Sequence, residues 1–170
     1  MKNIELLYPE YCNIYGESYS IEYLSRCSSD INVIRTNNRE TPAFVDRDVD
    51  MIYLGCSPER KQEHIISLLM PYKDRIRELI DKGTLFLITG NAIEIFGESI
   101  TDGDRVIPAL DIFDFTANRY MNRERHNSQY IGTFVNDEGE EMTMLGHRSQ
   151  FSFAYGDFSH KKWLDISIGI

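Results

Sequence analysis

The stretch Leu85-Phe86-Leu87-Ile88-Thr89-Gly90-Asn91-Ala92-Ile93-Glu94-Ile95-Phe96-Gly97 constrains the fold of this chain more than any other. Four apolar residues in a row, Leu85 to Ile88, read as a strand buried on both faces of a parallel sheet. Thr89-Gly90-Asn91 is a sharp turn. Ala92, Ile93, Ile95 and Phe96 then begin a helix that Gly97 closes. Buried strand, tight turn and helix N-terminus make an elbow, and in α/β enzymes such an elbow carries a nucleophile above backbone N–H donors. The apex here is Gly90, which has no side chain. The outline of a catalytic site is present without its reacting atom.

The residues before the elbow alternate between strand and helix patterns. Ile4 to Tyr8 reads as a first strand ended by Pro9, and Tyr11 to Glu17 as a turn-rich loop of the kind that carries function in α/β folds. Ser20 to Cys27 reads as a helix capped by Ser20, with Ile21, Leu24 and Cys27 toward the core. Ile31 to Thr36 is a second strand, the polar run from Asn37 to Val49 a loop, and Asp50 to Gly55 a third strand. Cys56-Ser57-Pro58 turns the chain. Glu59 to Asp81 has apolar residues at helical spacing, with Pro71 expected to kink or split the helix near Met70 and Gly83 to end it. This alternation implies an α/β fold of flavodoxin-like type: a mostly parallel central sheet with helices on both faces.

The second half is richer in β patterns. Arg105 to Pro108 and Ile112 to Thr116 read as short strands. Tyr130 to Val135 and Glu141 to Gly146 read as a hairpin across the Asn136-Asp137-Glu138-Gly139 turn. Phe151 to Tyr155 and Trp163 to Ile170 are further strand candidates. Asn118 to His126 is a basic run in an acidic chain, readable as an anion contact or as a solvated loop or helix. No repeat or interdomain linker interrupts the 170 residues, which are expected to form a single domain.

Charge and composition exclude several classes. A net charge of −9 argues against a nucleic-acid partner, since phosphate backbones require basic stripes. No stretch approaches the ~20 apolar residues of a membrane span, and the Met1 to Glu5 start lacks the apolar run of a signal peptide. Cys12, Cys27 and Cys56 have no metal-like spacing and read as free thiols of a cytoplasmic protein. His64, His126 and His160 have no ligand spacing and read as surface residues.

Four separated pieces carry a family resemblance. Leu7-Tyr8-Pro9 followed by Asn13-Ile14-Tyr15-Gly16-Glu17 resembles an LYP…NLYGD opening. Leu54 to Gln62 resembles a GGG-x-D-x-x-Q loop, Gly90 to Gly97 a C-G-G-Y-Q-L-L-G nucleophile elbow, and Leu145-Gly146-His147-Arg148-Ser149 a segment holding a catalytic histidine. Together they resemble class I glutamine amidotransferase domains of the cobyric acid synthase type, most of all the GatD-like glutaminase subunits of lipid II isoglutaminyl synthase. The resemblance implies thiolate attack on the amide of glutamine, with a histidine to activate the thiol and protonate departing ammonia. It implies no cofactor and no metal. Carried over by position, His147 is the base, Glu17 holds the acidic position of the opening motif, and Gln62 matches the loop glutamine. The N–H groups of Asn91 and of Cys56 or Ser57 are the oxyanion donors.

Two departures change the expectation. The nucleophile position is Gly90, which keeps the strained turn at no steric cost but removes the covalent route. The chain also stops several strands and a helix earlier than the family does, so a shortened C-terminal end with an unpaired edge strand is expected. The resulting reading is a catalytically silent amidotransferase-like domain. It would act by binding a Mur-ligase-like or synthetase partner, a second copy or a glutamine-like ligand. On this reading Gly90→Cys places a thiol within reach of His147. The competing reading is an active hydrolase or amidotransferase with a relocated nucleophile, Cys56 or Thr89, working with His147. Against it, Cys56 also reads as a small apolar filler and Thr89 as a hydroxyl turned into the sheet.

Overall fold

The computed structural model describes residues 1–159 and 164–169. Its first half consists of β1 (Lys2–Leu7), α1 (Ser18–Cys27), β2 (Ile31–Thr36), α2 (Ala43–Asp46), β3 (Met51–Leu54), α3 (Glu59–Leu69), α4 (Lys73–Asp81) and β4 (Leu85–Ile88). The four strands form an all-parallel sheet in the order β2-β1-β3-β4. Side chains alternate across it. Ile4, Leu6 and Tyr53 pack with Ile21 of α1 on one face. Leu7, Ile52 and Leu54 pack with Ile65, Leu69, Ile76 and Leu79 of α3 and α4 on the other. Pro71 sits in a 3₁₀ turn over Met70–Tyr72 and divides the long helix, as its missing N–H requires.

One strand residue breaks the apolar rule for a reason. Glu5, in the middle of β1, is fully buried. Its carboxylate accepts hydrogen bonds from the Thr36 hydroxyl (2.5 Å) and from the N–H groups of Ala43 (2.6 Å) and Phe44 (2.8 Å). Those two N–H groups open α2, so the carboxylate caps this short helix and condenses part of the polar Asn37 to Val49 run.

Three local expectations are corrected. β4 is not buried on both faces: it is the edge of its sheet, and Leu85 and Leu87 are 66% and 43% exposed on the side that carries α1. An unbroken apolar run does not distinguish a central strand from an edge strand with one covered face. The residues after β4 form a 3₁₀ helix over Gly90–Phe96 rather than an α-helix. Ser20 lies inside α1, which begins at Ser18 without a side-chain cap; Ile21 is its buried residue, and Leu24 and Cys27 are exposed.

The second half adds β5 (Ser99–Asp102), β6 (Arg105–Pro108), β7 (Phe115–Arg119), β8 (His126–Val135), β9 (Glu141–Gln150), β10 (Ser152–Gly156) and β11 (Asp165–Ile168). One sheet has the order β10-β7-β5-β6 and a second the order β11-β8-β9. β5 falls where the sequence pattern predicts no strand. The basic run Asn118 to His126 is split: Asn118 and Arg119 end β7, and His126 opens β8. The strand expected over Ile112 to Thr116 begins only at Phe115. His160, Trp163 and Ile170 lie outside the described residues. Among those described, no helix is long and apolar enough to cross a membrane.

Candidate functional site

Loops after β1, β3 and β4 meet at the carboxyl end of the parallel sheet, where open α/β sheets bind ligands. The β1 loop supplies Glu17, at the entry to α1. The β3 loop supplies Cys56 and Ser57, at the entry to α3. The β4 loop supplies Thr89, Gly90 and Asn91. Gly55 allows the first two loops to touch, since a β-carbon there would stand 2.5 Å from the Cys12 carbonyl oxygen.

Gly90 has φ +55°, the left-handed conformation expected at an elbow apex. The space above it is filled. A β-carbon at residue 90 would lie 2.0 Å from Cys56 Sγ. The Cys56 sulfur therefore occupies the volume in which a side chain at the apex would begin, and it rests 3.7 Å from the Thr89 carbonyl oxygen as a donor. Gly90→Cys cannot seat its thiol here unless Cys56 moves, which corrects the expectation that this change simply restores a nucleophile facing His147.

The loop N–H groups are engaged from within. Cys56 N–H donates to Glu17 Oε1 at 3.3 Å, and Tyr15 N–H donates to the other oxygen of the same carboxylate at 2.9 Å. Ser57 N–H donates to Asn91 Oδ1 at 3.1 Å, and Asn91 Nδ2 donates back to the Ser57 carbonyl at 2.7 Å. The two β3-loop donors expected to face an oxyanion are thus bonded to Glu17 and Asn91. Burial, and then the Glu17 carboxylate, push the Cys56 thiol up to about 11, while the Asn91 backbone N–H pulls the other way. Burial likewise pushes the neighbouring Cys12 thiol up to about 12. Ser57 Oγ is buried and has no partner among the described residues.

Beneath the elbow lies a charged network absent from the reading of the sequence. Gln62 is fully buried, and its Nε2 donates to the Asn91 carbonyl at 2.5 Å. Arg119 donates to Gln62 Oε1, to Glu94 (3.4 Å) and to Asp102 (3.2 Å). Burial raises the Glu94 carboxyl above its ordinary range, against the opposing pull of Ser152, Arg119 and Gln62. The signal for Arg119 was present: Phe115, Ala117 and Arg119 alternate along a strand and share its buried face.

The structure brings together Glu17, Cys56, Ser57, Gln62, Gly90 and Asn91. It does not bring His147 to them. His147 lies exposed on β9, opposite Gln129 of β8, in the β11-β8-β9 sheet, and among the described residues no hydrogen bond or ion pair joins it to the elbow. Thr89 Oγ1 pairs with the Tyr53 hydroxyl at 3.4 Å. Beside the elbow, Pro9, Glu10, Tyr11, Asn13, Pro58 and Lys61 line a shallow groove between the β1 and β3 loops, with Lys61 Nζ 4.5 Å above the Tyr11 ring. Neither a scan against models of known protein families nor a search of curated proteins finds a match.

Proposed function

We propose that this chain is an amidotransferase-like, flavodoxin-like scaffold that does not release ammonia from glutamine and acts in the cytosol by recognition. One observation carries the reading: the apex above Gly90 is filled by the Cys56 sulfur. The engaged N–H groups of Cys56 and Ser57 support it, because an oxyanion would have to displace Glu17 or Asn91 from them. The groove beside Tyr11 and Lys61 suits a small polar ligand, and a ligase- or synthetase-type protein or a second copy remains the proposed partner. Ammonia release from glutamine, measured with the full chain, is expected to stay at the blank. Turnover above the blank that disappears in Cys56→Ala would overturn the proposal.

A second reading has one specific observation in its favour: Cys56 Sγ stands at the elbow apex, where a relocated nucleophile would be useful. Opposing it are a thiol held near 11 beside a carboxylate and a candidate base, His147, in another sheet. Stoichiometric labelling of Cys56 by an electrophilic glutamine analogue at neutral pH would favour this reading. No labelling leaves the silent scaffold.

A further inference from the structure

We propose that the inner face of the β8–β9 hairpin is an oxyanion-binding site, for a phosphate or carboxylate group, built from Arg148, Ser128 and His126. The inference is independent of the elbow. In the antiparallel register Ser128 stands opposite Arg148, His126 opposite Gln150, and Tyr130 opposite Gly146, so these side chains share one face. Arg148 Nη2 donates to His126 Nε2 at 2.6 Å. Two other polar atoms on this face, Arg148 Nε and Ser128 Oγ, are buried and have no partner among the described residues. The Tyr130 ring lies over Gly146 and the His126 ring meets Phe153 edge-on, so aromatic groups flank both ends of the pair.

The chemistry of the two orphans selects the ligand. A guanidinium N–H can only donate, and the hydroxyl facing it across the strand pair can donate as well. Two buried donors side by side, one charged, are satisfied together by an oxygen-rich anion, the group that arginine recognises best. The surroundings agree. Among the described residues Arg123, Arg125 and Arg148 form no ion pair with a carboxylate, as is also true of Arg26, Arg39, Arg47, Arg60 and Lys61 elsewhere. In a chain of net charge −9, these three arginines make this end of the hairpin locally positive, which favours an anion there. Arg125 also reaches the opening loop: its Nη1 lies 3.3 Å from the Tyr15 hydroxyl, and its guanidinium sits over Phe151.

The test uses the full chain in low-salt buffer, titrated with inorganic phosphate in one arm and succinate in the other. Calorimetry reads affinity, and the NMR resonance of the Arg148 Nε–H reads the site. Saturable binding that moves this resonance is expected for one of the two anions, and the arm that saturates identifies the class. Arg148→Gln should weaken binding by about tenfold or more and Ser128→Ala by roughly threefold. Arg26→Gln, on the exposed side of α1, should leave it unchanged. Absence of saturable binding in both arms overturns the proposal. So does binding that Ser128→Ala and Arg148→Gln leave intact, or that Arg26→Gln weakens equally.

Discussion

At the elbow, Glu17 and Asn91 hold three loops together through bonds to neighbouring backbone, whereas on the inner face of the β8–β9 hairpin Ser128 and Arg148 stand across from each other with buried donors unused. The sequence marks the elbow residues as candidates and does not single out Ser128 or Arg148. The two regions differ in which donors are spent: at the elbow the loop N–H groups and the Asn91 amide are engaged and only the Ser57 hydroxyl lacks a partner among the described residues, whereas on the hairpin a charged guanidinium N–H lacks one as well. A donor committed internally has to give up a hydrogen bond before it binds a ligand, while an unpaired donor gives up none. The contrast places recognition of a small anion on the hairpin and a structural role on the elbow, even though the elbow has the more catalytic outline.

The change that breaks the elbow side most severely lies beneath it. Arg119 is nearly inaccessible and joins β7 to the elbow helix through Glu94 and to α3 through Gln62. Arg119→Ala leaves the Glu94 carboxylate buried without its cation, and a loss of about 3–5 kcal/mol in unfolding free energy is expected in urea titration. Pairing it with Glu94→Gln should recover part of that loss, since the uncompensated charge goes too.

Gly90 offers the next largest effect and a cleaner one. Gly90→Ala places a β-carbon against Cys56 Sγ in a left-handed conformation, with an expected cost of roughly 2–4 kcal/mol. In a Cys56→Ala background the nearest remaining atom is the residue 56 β-carbon, at 3.6 Å. Only the backbone penalty then remains, about 1 kcal/mol. The difference between the two backgrounds, read as a double-mutant cycle, measures how tightly the sulfur fills the apex. Equal costs in both would mean that it does not.

Much of the fold was legible because period and punctuation coincide. Ile31 to Thr36 is a strand between turn residues, and Pro71 and Gly83 break and end a helix where their backbone chemistry demands it. The positive φ of Gly90 was legible for the same reason. What stayed hidden depends on partners distant in sequence. The edge position of β4, the capping of α2 by Glu5 and the choice of Glu94 as the partner of Arg119 are decided by which element arrives alongside, and no local pattern encodes that. His147 shows the limit most clearly. Its flanking residues carry a resemblance, but the strand they form belongs to the three-stranded β11-β8-β9 sheet, apart from the elbow strand.

A smaller effect sharpens the contrast through pH. A thiol near 11 has about a hundredfold less thiolate at neutral pH than an ordinary one, and its higher intrinsic nucleophilicity returns roughly tenfold of that. Cys56 should therefore react with a disulfide reagent about tenfold more slowly than an unperturbed thiol at pH 7, and catch up as pH rises through 11. Glu17→Gln removes the second cause of the shift and should speed the neutral reaction severalfold. The raised value also means that folding favours the protonated thiol. This contribution to stability is complete below pH 9 and is lost as pH climbs from 9 through 11.

The smallest expected effects separate the two regions most directly. Among the described residues Ser57 Oγ and Ser128 Oγ are both buried without partners, one at the elbow and one on the hairpin. Replacing either serine with alanine removes an unsatisfied hydroxyl, so each change should shift stability by less than about 1 kcal/mol, with a slight gain as plausible as a loss. The two variants diverge once an anion is added. A ligand bound only to the folded state raises the melting temperature as its concentration passes its dissociation constant. Ser57→Ala should keep the rise in melting temperature that the bound anion gives the unmodified chain, because its hydroxyl lies at the elbow. Ser128→Ala should show a smaller rise at every concentration. If both lose the rise together, the anion is acting on the whole surface rather than at the hairpin, and the division of roles between the two regions fails.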